Sequence, residues 1–268
     1  MNGTFIIYTA HGFHFCKGAP KANWILYYPI EKILSKYTDC LITINREDFE
    51  IAKRNFKTKT VVLVNGIGIN VNKFNFTMND AEKNEYRESL GLMPNDFVII
   101  YVAELNKRKN QGMLIDAIKE LSEKIENVKV LLVGKDSMNN LYQSKVEKLG
   151  LNNTIKFLGY RKDIAKLMKI SDLAVSTSKR EGLPVNIMEA MLCGLPIIVT
   201  DCRGNRDLLQ NEYKDNIIKL GDVKGLTTKI EEIYSAKLRN VKYDISPYTK
   251  EHIEQQMRKI YKYKGEEQ

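Results

Sequence analysis

Histidine and cysteine are scarce in this chain: three and four of 268 residues. The cysteines, Cys16, Cys40, Cys193 and Cys202, form no C-x-x-C pair, and no two aspartates stand as Asp-x-Asp. A histidine-rich metal centre is therefore excluded, no metal is expected, and the cysteines read as reduced, buried thiols. Long apolar runs are missing as well. The longest near the start, Trp24 to Ile30, falls far short of the roughly 20 residues that a membrane span needs. The opening stretch MNGTFIIYTAHG has no basic segment and goes straight into a strand pattern, so it does not read as a secretory leader. The expected location is the cytoplasm. Nothing resembles a helix-turn-helix, a zinc finger or an RNP-like aromatic pattern, so nucleic acid is the weakest partner class.

What is present describes an ordinary globular protein, 43% hydrophobic and 28% charged, with a formal net charge of +9. The length allows one large domain or two small ones. The charge is uneven. Residues 1–75 carry ten Lys/Arg against five Asp/Glu, a net +5. Such a surface favours phosphorylated substrates or anionic lipid. The Trp24, Tyr27, Tyr28 cluster adds an expectation of peripheral contact with an anionic membrane, on the inner face of the plasma membrane.

In chain order, strands read at Thr4–Thr9, Cys40–Ile44 and Val61–Val64, with a helix at Arg46–Asn55 and an aromatic helix before it that Pro29 should kink or restart. Asn65–Asn75, with Gly66 and Gly68, breaks the pattern. It reads as a flexible linker and domain boundary, and the charged stretch Thr77–Ser89 follows. Strands then recur at Phe97–Ala103, Lys129–Val133, Ile155–Leu158, Leu173–Ser176 and Pro196–Thr200. Helices alternate with them near Gln111–Ile125, Leu141–Leu149, Asp163–Ile170 and Val185–Cys193. An amphipathic helix, Pro247–Lys262, ends the pattern. The alternation predicts an α/β fold with parallel sheets, ligands lying at the carboxyl ends of the strands.

One stretch organises the rest, LAVSTSKREGLPVNIMEAMLCGLPIIVT from Leu173 to Thr200. It reads as strand, polar loop, helix and strand. Pro184 suits a helix's first turn, Gly182 lets backbone approach a ligand, and Leu183 stands between them. Glu181 and Glu189 lie eight positions apart, so both carboxylates can border the same mouth. A carboxylate can accept hydrogen bonds from two neighbouring hydroxyls, as a sugar or a ribose offers. The competing reading makes Glu181 a solvated loop charge and Glu189 a surface helix residue.

This E-x7-E with Gly-Leu-Pro after its first glutamate, at a strand-loop-helix junction, resembles the signature of the family 4 retaining glycosyltransferases of capsular and exopolysaccharide type. The resemblance implies the GT-B fold: one complete Rossmann-like C-terminal domain (76–246), the last part of an N-terminal, acceptor-side Rossmann-like domain (1–75), and a C-terminal helix (247–268) packing back toward the N-terminal part. It also implies roles. Glu181 would hold the transferred sugar's hydroxyls and Glu189 the ribose. The amides around Gly182, Leu183 and Pro184, with Lys109 and its neighbour Arg108, would hold the diphosphate. Tyr160 and Arg161 would lie against the base. His11, in TAHGFHF, would contact the sugar from the opposite wall. A basic turn for Lys109 and Arg108, and simple packing for Tyr160, are the competing readings.

One position departs from the family. Where relatives carry a first basic residue after the opening strand of the second domain, this chain has Glu104. Gly134-Lys135-Asp136 keeps only one glycine of a glycine-rich turn and gets no role. Asp201-Cys202-Arg203-Gly204-Asn205-Arg206-Asp207 matches the loop after the signature helix and would support the site. The implied reaction moves a sugar from a UDP-sugar to a lipid-linked saccharide acceptor with retention, without metal or other cofactor. Because the first domain lacks its opening strands, the chain reads as N-terminally truncated. An inactive nucleotide-sugar-binding remnant and a UDP-sugar epimerase on the same fold are the alternatives.

Overall fold

The computed structural model describes residues 4–262. The chain runs β1 (Ile7–Ala10), α1 (Lys21–Leu34), β2 (Cys40–Thr43), α2 (Arg46–Asn55), β3 (Thr60–Leu63) and α3 (Asp80–Ser89). It continues through β4 (Phe97–Val102), α4 (Gln111–Leu121), β5 (Val128–Val133), α5 (Leu141–Lys148), β6 (Ile155–Gly159), α6 (Ile164–Lys169) and β7 (Leu173–Ser176). Last come α7 (Val185–Leu192), β8 (Ile197–Thr200), α8 (Arg203–Leu208), β9 (Ile217–Ile218), α9 (Val223–Ser235) and α10 (Lys250–Lys262).

Two all-parallel sheets result. The first has three strands in the order β1-β2-β3, and the second six in the order β6-β5-β4-β7-β8-β9. From β4 the chain winds outward to β6 on one side, then returns and winds through β7 to β9 on the other. The reversal between β4 and β7 opens a crevice at their carboxyl ends, where open α/β sheets bind ligands. Helices cover both faces of this sheet. Ile99 and Tyr101 of β4 pack with α4, α5 and α9, whereas Val98 and Ile100 face the layer containing α6 and α7. Buried on both sides, β4 and β8 read as unbroken apolar runs.

The small sheet alternates in the same way. Leu41 joins Phe13, Phe15 and Ala52 on one face, while Cys40 and Ile42 meet Val64 and Ile253 of α10 on the other.

Several expectations need correction. Strand β1 begins at Ile7, not Thr4. Helix α1 runs unbroken through Pro29. Pro29 offers no N–H to the carbonyl of Ile25, but that residue is 76% exposed and water can serve it. The charged stretch after Thr77 folds as α3, opened by a capping box in which Asn79 and Glu82 satisfy each other's backbone N–H. Residues 65–75 are not a loose linker. Ile69 donates its N–H to the Tyr248 carbonyl (2.9 Å) and accepts from Lys250 (3.0 Å), and a Cβ on Gly68 would lie 2.7 Å from Lys250 Cα. Cys193 is only half-buried, unlike the other three cysteines. Helices α8 and α9 and strand β9 have no counterpart in the sequence reading.

Candidate active site

Two loops meet in the crevice between β4 and β7. The first, Ala103–Asn110, leaves β4 and is held by its own polar side chains. Asn106 Oδ1 accepts the N–H groups of Arg108 (3.1 Å) and Lys109 (2.9 Å). The Lys109 carbonyl in turn accepts the Tyr101 hydroxyl at 2.5 Å. Burial pushes that phenol up to about 12, so it stays a donor. Asn110 takes a left-handed conformation (φ 57°), donates to Thr177 O and accepts from Thr177 Oγ1, stapling the first loop to the second.

The second loop, Thr177–Pro184, leaves β7. Pro184 caps α7 and lines neither of the cavities described next. Glu181 is 6% exposed, with Lys109 Nζ at 2.5 Å and Arg108 Nη1 at 3.5 Å. Such a pair is expensive to desolvate and is held by the loops around it, so its geometry says more than its net energy.

The loop after β1 closes the wall opposite. His11, Gly12, Phe13 and His14 border a cavity of about 270 Å³ with Arg108, Arg180, Glu181, Gly182 and Arg203. The approach is at backbone contact: a Cβ on Gly182 would lie 2.3 Å from the His11 carbonyl oxygen. His11, Arg108, Lys109, Glu181 and Gly182 are thus brought together.

Glu189, Tyr160 and Arg161 lie elsewhere. They border a larger open cavity of about 1020 Å³, at the carboxyl ends of β4, β5 and β6, with Lys73, Glu104 and Gly134. The two glutamates therefore do not share one mouth, as the spacing suggested. They line separate cavities, which the loop after β4 joins by sending Glu104 into one and Arg108 into the other. Burial raises the Glu189 carboxyl above its ordinary range, and Lys73 partly offsets this. Tyr160 is 75% exposed, free to lie over a flat ligand. The Arg161 side chain pairs with Asp163 (2.5 Å) and reaches Tyr86 Oη (3.2 Å). Leu183 belongs to neither cavity. It is buried near Gly66, where an added Cβ would lie 2.9 Å from Leu183 Cδ2, and it lines a separate 390 Å³ cavity with Ile44 and Tyr248.

Three features escaped sequence reasoning. Gly134 (φ 155°) passes so close to β4 that a Cβ would lie 2.0 Å from the Ala103 carbonyl oxygen. Glu104, at the departure from the family pattern, accepts from Ser137 Oγ, which lowers its carboxyl. Asp48 is wholly buried against Arg203; only its place three after a capping Asn45 hinted at an ordered role. Among the described residues no group of three or more His, Cys, Asp or Glu converges as metal ligands would.

A doubly wound parallel sheet with an acidic and basic pair in its switch-point crevice, faced by a second parallel sheet, defines a GT-B-like protein, and residues 82–252 match the family described as glycosyl transferases group 1. The chain belongs to that family. It is 43% identical over 234 residues to EpsD of Bacillus subtilis strain 168, a protein whose name assigns it provisionally to the glycosyltransferases; the match covers 87% of this chain and 61% of that one. It is 30% identical over 240 residues to an Escherichia coli UDP-Gal:alpha-D-GlcNAc-diphosphoundecaprenol alpha-1,3-galactosyltransferase, covering 88% of this chain and 62% of the other. The chain thus spans about three fifths of the length of these relatives. The crystal structure of Anabaena Alr3699/HepE in complex with UDP and glucose shares the fold, with a TM-score of 0.81 at 22% identity, over 97% of this chain and 72% of that one.

Proposed function

We propose that this chain carries the donor site of a retaining glycosyltransferase that moves a sugar from a UDP-sugar to a lipid-linked saccharide in surface-polysaccharide assembly. The observation that carries the reading is the convergence of Glu181, Lys109 and Arg108 with the His11 loop at the switch point. In this reading uridine occupies the larger cavity. Tyr160 covers the base, backbone near Arg161 reads its edge, and ionised Glu189 accepts the two ribose hydroxyls. The diphosphate lies between the cavities, against Lys109, Arg108 and the Gly182 backbone ahead of the N-terminus of α7. Lys109 then exchanges its contact with Glu181 for phosphate, and Glu181 turns its oxygens to the sugar hydroxyls. His11 meets the sugar from the other side.

The chain's contribution to rate is stabilisation of the leaving diphosphate and orientation of an oxocarbenium-like sugar. No covalent intermediate and no metal or other cofactor are invoked. The UDP donor and the lipid-linked acceptor are supported by the names of the Escherichia coli relative and of the HepE complex.

A peripheral seat on anionic lipid belongs to the same proposal. Helix α1 turns Ile25, Leu26, Ile30, Ile33 and Leu34 to solvent between Lys21, Lys32 and Lys36. No helix among the described residues is long and apolar enough to cross a membrane. Co-sedimentation with phosphatidylglycerol vesicles but not with phosphatidylcholine vesicles is the expected result, and equal recovery in both removes this part.

The reaction is tested by incubating the chain with radiolabelled UDP-galactose and a diphosphoundecaprenol-linked GlcNAc acceptor. Label in the lipid fraction is expected. UDP binding without transfer would mean a nucleotide-sugar-binding protein that transfers nothing. Sugar interconversion without acceptor would mean an epimerase.

A further inference from the structure

Behind the smaller cavity lies a buried ion pair that no step above uses. Asp48, in the first turn of α2, is wholly buried, and Arg203, the first residue of α8, is 7% exposed. Arg203 Nη1 donates to Asp48 Oδ1 at 2.7 Å, and Arg203 Nε donates to the main-chain carbonyl of Glu181 at 2.7 Å. The other carboxylate oxygen, Asp48 Oδ2, accepts the Phe13 N–H at 3.0 Å and Asn45 Nδ2 at 2.8 Å. One carboxylate therefore holds the backbone of the His11 loop, and its cation holds the backbone of Glu181.

Packing leaves this linkage little play. A Cβ on Gly12 would lie 2.7 Å from Arg203 Nη2, and one on Gly204 2.3 Å from the Gly182 carbonyl oxygen. With the Gly182–His11 contact, three glycines bring two loops and the start of α8 into close approach around one guanidinium. Apolar residues of similar volume often stabilise a fold as well as a buried ion pair does. What they cannot supply is two directed bonds from a planar fork.

We infer that Asp48 and Arg203 are positioning residues: they fix the separation between the His11 loop on the first sheet and Glu181 on the second, and so the register in which a bound sugar meets both. This rests on the donor-site reading above for its chemistry, though not for its geometry. Three single-residue variants of this chain test it, Asp48→Asn, Arg203→Gln and Arg203→Lys. The last keeps the charge opposite Asp48 but not the fork.

The first measurement needs no ligand. Hydrogen exchange in peptides spanning residues 10–15 and 179–184 should quicken together in Asp48→Asn, by about tenfold, while β4 and α7 stay protected. In Arg203→Lys, which covers the case where the other two fail to fold, residues 179–184 should quicken with the melting temperature close to the parent's. Quickening confined to residues 10–15 overturns the inference. The second measurement is turnover of UDP-galactose. A loss on the order of 10²-fold in kcat with donor KM within about twofold is expected, whereas a pure KM effect overturns it. If the parent chain neither binds nor turns over UDP-galactose, the donor reading fails, and the exchange result still decides the coupling.

Discussion

Glu189 is a residue of the proposed site whose chemistry is open to titration. Burial raises its carboxyl, with Lys73 opposing, so it ionises at a higher pH than an ordinary glutamate. Only the ionised form can accept from both ribose hydroxyls without offering a proton of its own. UDP affinity should therefore fall as pH drops through this raised value, above the usual carboxylate range. Glu189→Gln should bind about tenfold more weakly and show a flatter pH profile, as calorimetric titration at several pH values will show. For stability the sign is the reverse of a salt-bridged acid. Folded Glu189 holds more proton than unfolded, so its contribution declines as pH rises through that window. Asp163 behaves oppositely. Arg161 holds it at about 2, so its contribution is present above the ordinary 3.8 and lost as pH falls toward 2. Gly182→Ala puts a methyl 2.3 Å from the His11 carbonyl oxygen, where backbone must move. A loss of roughly 2–3 kcal/mol in denaturant unfolding is expected. His11, Lys109, Arg108, Glu181 and Gly182 could be picked out because each stands in a short local pattern, and they meet around one crevice. Asp48 and Arg203 could not be paired from sequence, since 155 positions separate them and only the packing of α2 on α8 joins them. The shared mouth for Glu181 and Glu189 failed because Glu189 stands a full turn down α7, about 6 Å along the axis.

At the scale of elements, burial decided what could be read. β4, β7 and β8 are covered on both faces, so each shows a continuous apolar run. α3 has no such signal. Of its residues only Arg87 is buried, reaching the Pro94, Asp96 and Ile170 carbonyls and Asp172, and its start is set by polar capping. Asn79→Ala should cost about 1 kcal/mol, read as a lowered melting temperature with the far-ultraviolet spectrum otherwise intact. α9 was legible in principle: Leu226, Ile230 and Ile233 repeat at helical spacing and are buried. Pro29 misled because a proline at an exposed helix position can leave the helix intact.

For the whole molecule, the decisive contacts are those that return the chain's last helix to its first sheet. Ile253 is 6% exposed, seated against Cys40, Ile42, Val64 and the edge of Gly68. Ile253→Asp sets an unpaired carboxylate among them. It should cost roughly 3 kcal/mol in unfolding, and it should make the Cys40 thiol, 2% exposed, reactive to a thiol reagent. The same seat has a consequence for how the chain is made. β2 leaves the ribosome more than 200 residues before Ile253 does, an interval of about 10–40 s at ordinary synthesis rates. Through that interval the face on which Ile253 later sits lacks its cover from α10, so a nascent chain of this protein is a natural client for a holding chaperone until that helix docks.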